Sequence, residues 1–90
     1  MSALDRDASA DDALRVRRFT VLAEAEPGLL PRLIEPLAKR GLVPTRLEAM
    51  ADGATLRATL SVELDAAAAQ LIGASLRAIV GVATVLTDPA

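Results

Sequence analysis

Two carboxylates, Glu24 and Glu26, lie two residues apart where the sequence predicts the end of a strand. Paired carboxylates can do general acid–base chemistry when their surroundings separate their pKa values. The chain has no His, Cys or Asn, which excludes nitrogen–sulfur metal sites and nucleophilic catalysis built on His or Cys. Solvated charges at a strand end are the favoured interpretation of the pair. We therefore expect no enzyme, no catalytic residues, no metal and no cofactor.

Nucleic-acid recognition on an open sheet relies on aromatic side chains that stack on bases. The chain has one aromatic residue, Phe19, and its alternation with aliphatic neighbours predicts a core position. A basic cluster begins the same segment and consists of Arg15, Arg17 and Arg18. Because aromatic stacking groups are lacking, we interpret this cluster as solvent-exposed charges at the start of a strand. We expect no nucleic-acid partner.

The hydrophobic pattern predicts the elements that position these residues. Strands are predicted at 15–25, 43–51, 54–64 and 82–88, and helices at 29–40 and 65–81. With right-handed crossovers, the order βαββαβ predicts an α+β, ferredoxin-like sandwich. It would have a four-stranded antiparallel sheet in the order 4-1-3-2 and two helices on one face. The edge strand at 43–51 leaves room for pairing with a second copy.

Asp-Gly at 52–53, between two alternating segments, predicts a hairpin with a type I′ turn. A two-residue loop there would place Ala51 opposite Ala54. The same register would pair Glu48 with Arg57 on the solvent face, a favourable pair of opposite charges.

Signals at the helix ends support both helices. Asp65 is a good N-cap for the second helix, and Gly41 follows the basic end of the first. Pro31 is tolerated in a first turn, but Pro36 lacks the N–H that would bond the Arg32 carbonyl. We expect a kink or a shortened helix at Pro36.

Length and composition predict one domain with a packed core: 90 residues, 52% hydrophobic, with a net charge of −2. Residues 1–13 are small, acidic and aperiodic, which predicts a disordered tail, and residues 14–90 form the domain. No apolar stretch approaches the length of about 18 residues that a membrane span needs. We expect a cytoplasmic protein without a membrane partner.

The turn that follows the first strand carries a family resemblance. The segment "EPGLL" at 26–30, the residues Lys39-Arg40-Gly41, the closing "RAIVGVATV" and the element order resemble an ACT domain. Among ACT domains, the pattern looks most like the small regulatory subunit of acetolactate synthase. The resemblance covers residues of about 16–88.

The resemblance implies a homodimeric regulatory module with an amino acid bound at the dimer interface. The ligand-binding residues would be Glu26, Pro27, Gly28, Leu29 and Leu30. The implied partner is a large, thiamine-diphosphate-dependent catalytic subunit of branched-chain amino-acid biosynthesis.

Two alternatives stay open. One is a stand-alone amino-acid sensor, and the other is a dimerisation module that has lost its ligand site. The second follows from two residues of the turn: Ala25 stands where valine-sensitive small subunits have Asn, and Pro27 has no N–H to donate.

Overall fold

The computed structural model describes residues 13–89, and the predicted tail at 1–13 lies outside this range apart from Ala13. In the described residues the chain forms four strands and two helices in the order βαββαβ. The elements are β1 (Arg15–Glu24), α1 (Leu29–Lys39), β2 (Arg46–Asp52), β3 (Thr55–Leu64), α2 (Ala66–Arg77) and β4 (Val82–Pro89). The strand order β2-β3-β1-β4 is antiparallel throughout, so the predicted ferredoxin-like sandwich is confirmed.

Alternation along the strands sorts apolar residues to one face of the sheet. Phe19, Val21 and Ala23 of β1 are buried there, as their spacing predicts, while Thr20 and Leu22 lie on the opposite, open face. The core is closed by both helices and is almost entirely aliphatic. Each fully buried Leu, Ile or Phe side chain contributes roughly 1.5–3 kcal/mol of transfer free energy.

The hairpin forms, but its predicted register is wrong. Asp52 pairs with Thr55, so the turn residues are Gly53 and Ala54 rather than Asp52 and Gly53. Gly53 has φ +61, and no other residue type takes a positive φ in residues 13–89, which fits a type II′ turn and not type I′. The two-residue slide keeps every side chain on its predicted face.

The slide also removes the predicted pair between Glu48 and Arg57. Glu48 lies opposite Thr59, and Arg57 lies opposite Met50. The Glu48 carboxylate instead accepts from the Nε of Arg46 on its own strand, at 2.9 Å. Both side chains are exposed, so the contribution of this ion pair to stability is small.

The helix ends follow the predicted signals. The Asp65 side chain accepts from the Ala68 amide at 2.7 Å, which confirms the N-cap of α2. At the end of α1, the amides of Gly41 and Leu42 turn back to carbonyls in its last turn, at 3.0 and 2.9 Å. The helix continues for three residues beyond Pro36, so this proline does not end it. α2 ends at Arg77, four residues earlier than predicted.

The spacing of apolar residues over 65–81 predicts a buried stripe that includes Leu71 and Val80, but neither of these is a core residue. Leu71 is 51% exposed, and Val80, beyond the helix, is 86% exposed. Their places are taken by Ala69 and Gly73, which let α2 lie close to the sheet. Neither helix of the described residues is long and apolar enough to cross a membrane.

Candidate ligand-binding site

The turn between β1 and α1 is held by backbone hydrogen bonds to two other parts of the chain. The Glu24 amide donates to the Gly81 carbonyl, and the Ala25 amide donates to the Ala54 carbonyl, both at 2.9 Å. Within the turn, the Leu29 amide donates to the Glu26 carbonyl at 3.1 Å. The turn is therefore fixed between the start of β4 and the β2–β3 hairpin.

The five residues predicted to bind a ligand fall into three environments. Glu26 and Pro27 are exposed, Gly28 and Leu30 are half-buried, and Leu29 is fully buried. The side chain of Leu29 is thus a core group in this chain. Only the other four residues present side chains or backbone at the surface.

Gly81 explains how Leu29 is locked in place. Gly81 has φ +99, and a Cβ on it would lie 3.0 Å from Cδ2 of Leu29 and 3.9 Å from Oε2 of Glu24. Few L-residues adopt this φ, and the contact leaves no room for a side chain. Sequence reasoning placed Gly81 at the end of the second helix and missed that it packs under the turn.

Backbone N–H groups are available at the start of α1. Gly28 is the N-cap and no side chain caps the helix. Within residues 13–89, the amides of Gly28 and Leu30 have no backbone or side-chain acceptor, whereas Pro27 and Pro31 carry no N–H. Free amides and the positive end of the helix dipole suit an anionic group.

Arg32 adds a cation to the same turn. A Cβ on Gly28 would lie 3.4 Å from Nη2 of Arg32, so the guanidinium extends back over the glycine. Arg32 is exposed and forms no ion pair within the described residues. Helical side chains point towards the N-terminus and reach the turn four residues earlier, which is the signal that sequence reasoning overlooked.

The same β1–α1 segment carries two carboxylates, Glu24 and Glu26. The neighbouring Glu26 carboxyl raises the pKa of Glu24, first through a shared side-chain hydrogen bond and then through charge repulsion. The two carboxyl groups, two residues apart in the sequence, therefore lie close enough to affect each other's protonation. Together they can accept hydrogen bonds from a cation.

Two surface grooves lie near the sheet. One of about 470 Å³ borders Glu24, Ala54 and Gly81, at the same end of the sheet as the turn. Another of about 790 Å³ lies on the open face, where Arg18 pairs with Asp88 at 3.2 Å and Arg46 pairs with Glu48. Residues 26–30 line neither groove, so the turn is an exposed edge in the single chain.

The fold and the turn define the class of protein. A family model described as an ACT-like domain matches residues 9–90. The chain belongs to the ACT-like domain family, whose members are regulatory modules. No curated protein matches the chain in sequence.

Solved structures agree with this assignment at the level of the fold. The ACT domain of a GTP pyrophosphokinase from Chlorobium tepidum has a TM-score of 0.75 at 14% identity, with 83% of this chain and 99% of that chain covered. The C-terminal domain of the MgtC protein from Mycobacterium tuberculosis gives 0.69 at 13%, with 89% and 92% covered. The aspartate kinase regulatory subunit from Thermus thermophilus gives 0.64 at 17%, with 84% and 52% covered.

Proposed function

We propose that the chain is a non-catalytic regulatory subunit that binds a free amino acid at the β1–α1 turn, as a homodimer. The observation that carries the proposal is the charge arrangement of this turn. Donors for a carboxylate come from Arg32 and the amides of Gly28 and Leu30, and the acceptors Glu24 and Glu26 precede them in the same β1–α1 segment. A free α-amino acid carries both complementary groups, a carboxylate and an ammonium group, on one carbon atom.

The apolar part of the site would be small. Leu30 is half-buried against the core and presents part of its side chain at the surface, while Leu29 is fully buried and supports the turn from below. This arrangement favours an aliphatic ligand of the size of valine, leucine or isoleucine. The exposed turn needs a cover to exclude water from such a ligand.

A second copy of the chain would provide that cover. Every residue of β2 is exposed, including Met50 at 72%, and Val43, which precedes the strand, is 81% exposed. An edge strand with free backbone groups pairs readily with an identical strand. Dimerisation along β2 would extend the sheet and bring a neighbouring surface towards the turn.

The site is tested by calorimetry on the intact chain with valine, leucine and isoleucine. The matched control ligand is the 2-hydroxy analogue of valine, which keeps the carboxylate and side chain but lacks the ammonium group. We expect a branched-chain amino acid to bind and the hydroxy acid to bind at least about tenfold more weakly, because the carboxylates lose their partner.

Variants locate the binding. Arg32→Gln and Glu26→Gln should each weaken binding by about tenfold, since each removes a charged hydrogen-bonding group. Arg40→Gln and Glu63→Gln are the controls, because both residues are exposed and lie outside the turn. Equal effects of the site and control variants would overturn the assignment of the site.

The catalytic partner we propose is a thiamine-diphosphate-dependent enzyme of branched-chain amino-acid biosynthesis, similar to acetolactate synthase. The support is the resemblance of the turn and of the Lys39-Arg40-Gly41 helix end to its small subunit. Co-purification with the large subunit and a change in its activity are the expected results. No effect on that enzyme, with amino-acid binding intact, would favour a stand-alone sensor instead.

A dimerisation module without a ligand is the second candidate, and one observation favours it. Ala25 offers no side-chain amide, and Pro27 and Pro31 remove two of the N–H groups near the start of α1. This candidate predicts a dimer whose melting temperature is unchanged by any of the twenty amino acids. A rise of several degrees with one of them would exclude it.

A further inference from the structure

A separate small cleft lies between α2 and the edge strand β4, away from the β1–α1 turn. Its volume is about 290 Å³, and its lining consists of Arg17, Ala66, Ala69, Gln70, Arg77 and Thr87. Two arginines from distant parts of the sequence thus border one small space. The proposed amino-acid site uses none of these residues.

Arg17 is held in the cleft by the backbone. Its position in β1 places it on the helix side of the sheet with Phe19, and not with Arg18 on the open face. The Arg17 Nε donates to the Leu64 carbonyl at 2.9 Å, and the side chain is half-buried. This bond fixes the plane of the guanidinium and leaves its terminal N–H groups for another acceptor.

Arg77 is held from the opposite side. Its Nη2 donates to the Val85 carbonyl at 3.3 Å, so the side chain runs back along α2 towards β4. A Cβ on Gly73 would lie 3.2 Å from Nη1 of Arg77 and 3.8 Å from Oγ1 of Thr87. Glycine in the interior of a helix is unfavourable relative to alanine, and here it makes room for this guanidinium.

The two guanidiniums form no ion pair within residues 13–89. The ion pairs described there join Arg18 to Asp88, Lys39 to Glu35 and Arg46 to Glu48. Asp65, at the start of α2, accepts from the Ala68 amide and is not paired with either arginine. Backbone carbonyls therefore orient two guanidiniums whose remaining N–H groups are available to an anionic ligand.

We propose that this cleft binds a phosphate group, with Arg17 and Arg77 as its two charged ligands. The Thr87 hydroxyl and the Gln70 amide supply further donors from the two sides of the cleft. Guanidiniums that approach from β1 and from α2 suit the several oxygens of a tetrahedral anion. The volume of the cleft fits the phosphate group itself, free or as the monoester of a small metabolite.

The experiment is a titration of the full chain with inorganic phosphate, followed by calorimetry and by the ¹⁵N NMR signals of the arginine Nε–H groups. Sodium chloride at matched ionic strength is the reference for charge screening. A parallel titration with glycerol 3-phosphate separates the two sources of the group: tighter binding than inorganic phosphate identifies a monoester site, and equal or weaker binding identifies a site for free phosphate.

Three variants test the geometry. Arg77→Gln should lower the affinity for phosphate by about tenfold or more, because one charged hydrogen-bonding group is lost. Gly73→Ala keeps all the charges and favours the helix, but its Cβ pushes the Arg77 guanidinium aside, so a loss of about threefold is expected at unchanged or higher stability. Arg57→Gln, on the open face of the sheet, is the matched control for charge.

The outcome that supports the proposal is saturable phosphate binding that shifts the Nε–H signals of Arg17 and Arg77 and is weakened by Arg77→Gln and Gly73→Ala but not by Arg57→Gln. Two outcomes overturn it. One is a response to phosphate no larger than the response to chloride. The other is an equal loss of affinity in Arg77→Gln and Arg57→Gln, since this would show that only net charge matters.

Discussion

The two ends of β1 carry opposite charges, and the ligand sites that we propose at them are built in different ways. At its C-terminal end lie Glu24 and Glu26, followed by the backbone amides at the start of α1, which the turn holds in position. Near its N-terminal end, Arg17 lines the same cleft as Arg77, and backbone carbonyls orient both guanidiniums. The first proposed site thus depends on the backbone of the turn and on the core beneath it. The second depends on exposed and half-buried side chains that the core does not need. Changes at the first should cost stability, and changes at the second should cost mainly affinity.

The largest effect on stability is expected for Leu29→Ala, in the turn that follows the C-terminal end of β1. Leu29 is fully buried, and its truncation should lower the free energy of unfolding by about 2–5 kcal/mol. Leu30→Ala is the matched control and should cost clearly less, because Leu30 is only half-buried. Chemical denaturation measures both. If the two truncations cost the same, Leu29 is not the core anchor of the turn.

The glycines of the two regions should respond in opposite directions to alanine. Gly81→Ala should destabilise the chain by about 1–3 kcal/mol, because φ +99 disfavours a side chain and the new Cβ meets Leu29. Gly73→Ala should be neutral or stabilise by up to about 1 kcal/mol, because only the flexible end of Arg77 must move. The melting temperatures of the two variants, compared with that of the unmodified chain, measure both effects. If Gly81→Ala were as stable as the unmodified chain, the packing of Gly81 against Leu29 would not be needed to hold the turn on the core.

The smallest effect concerns pH. Because Glu26 raises the pKa of Glu24 in the folded chain, the folded state binds the proton more tightly than the unfolded state does. The resulting stabilisation is complete below the ordinary glutamate pKa and is lost as the pH rises through the raised value. Glu26→Gln should return the pKa of Glu24 towards its ordinary value and flatten this dependence. The side-chain carboxyl ¹³C signal of Glu24 reports the change, and an unaltered titration in the variant would contradict the pairing.

Much of the fold follows from patterns that extend over whole elements. The alternation at Phe19, Val21 and Ala23 gives the faces of β1, and Asp65 gives the start of α2. The hairpin register depends on one local choice, whether Asp52 or Gly53 begins the turn. Both registers place the same residues on the same faces, so hydrophobicity cannot distinguish them.

The candidate site was predictable only in part. The turn at 26–30 has a sequence signature, but the burial of Leu29 depends on Gly81, more than fifty residues later in the chain. The contribution of Arg32 follows from helix geometry, since its side chain reaches back to Gly28. Arg17 and Arg77 meet only because α2 packs against the strands, and no local pattern in either segment indicates this.

The most direct test follows the backbone amide signals of the intact chain while valine, and separately inorganic phosphate, is added. We predict that valine shifts the amides of Gly28 and Leu30, and that phosphate shifts signals around Arg17 and Arg77, in two sets that do not overlap. If valine leaves the turn unchanged at millimolar concentration, or if both ligands shift the same residues, the assignment of an amino-acid site to the β1–α1 turn is contradicted.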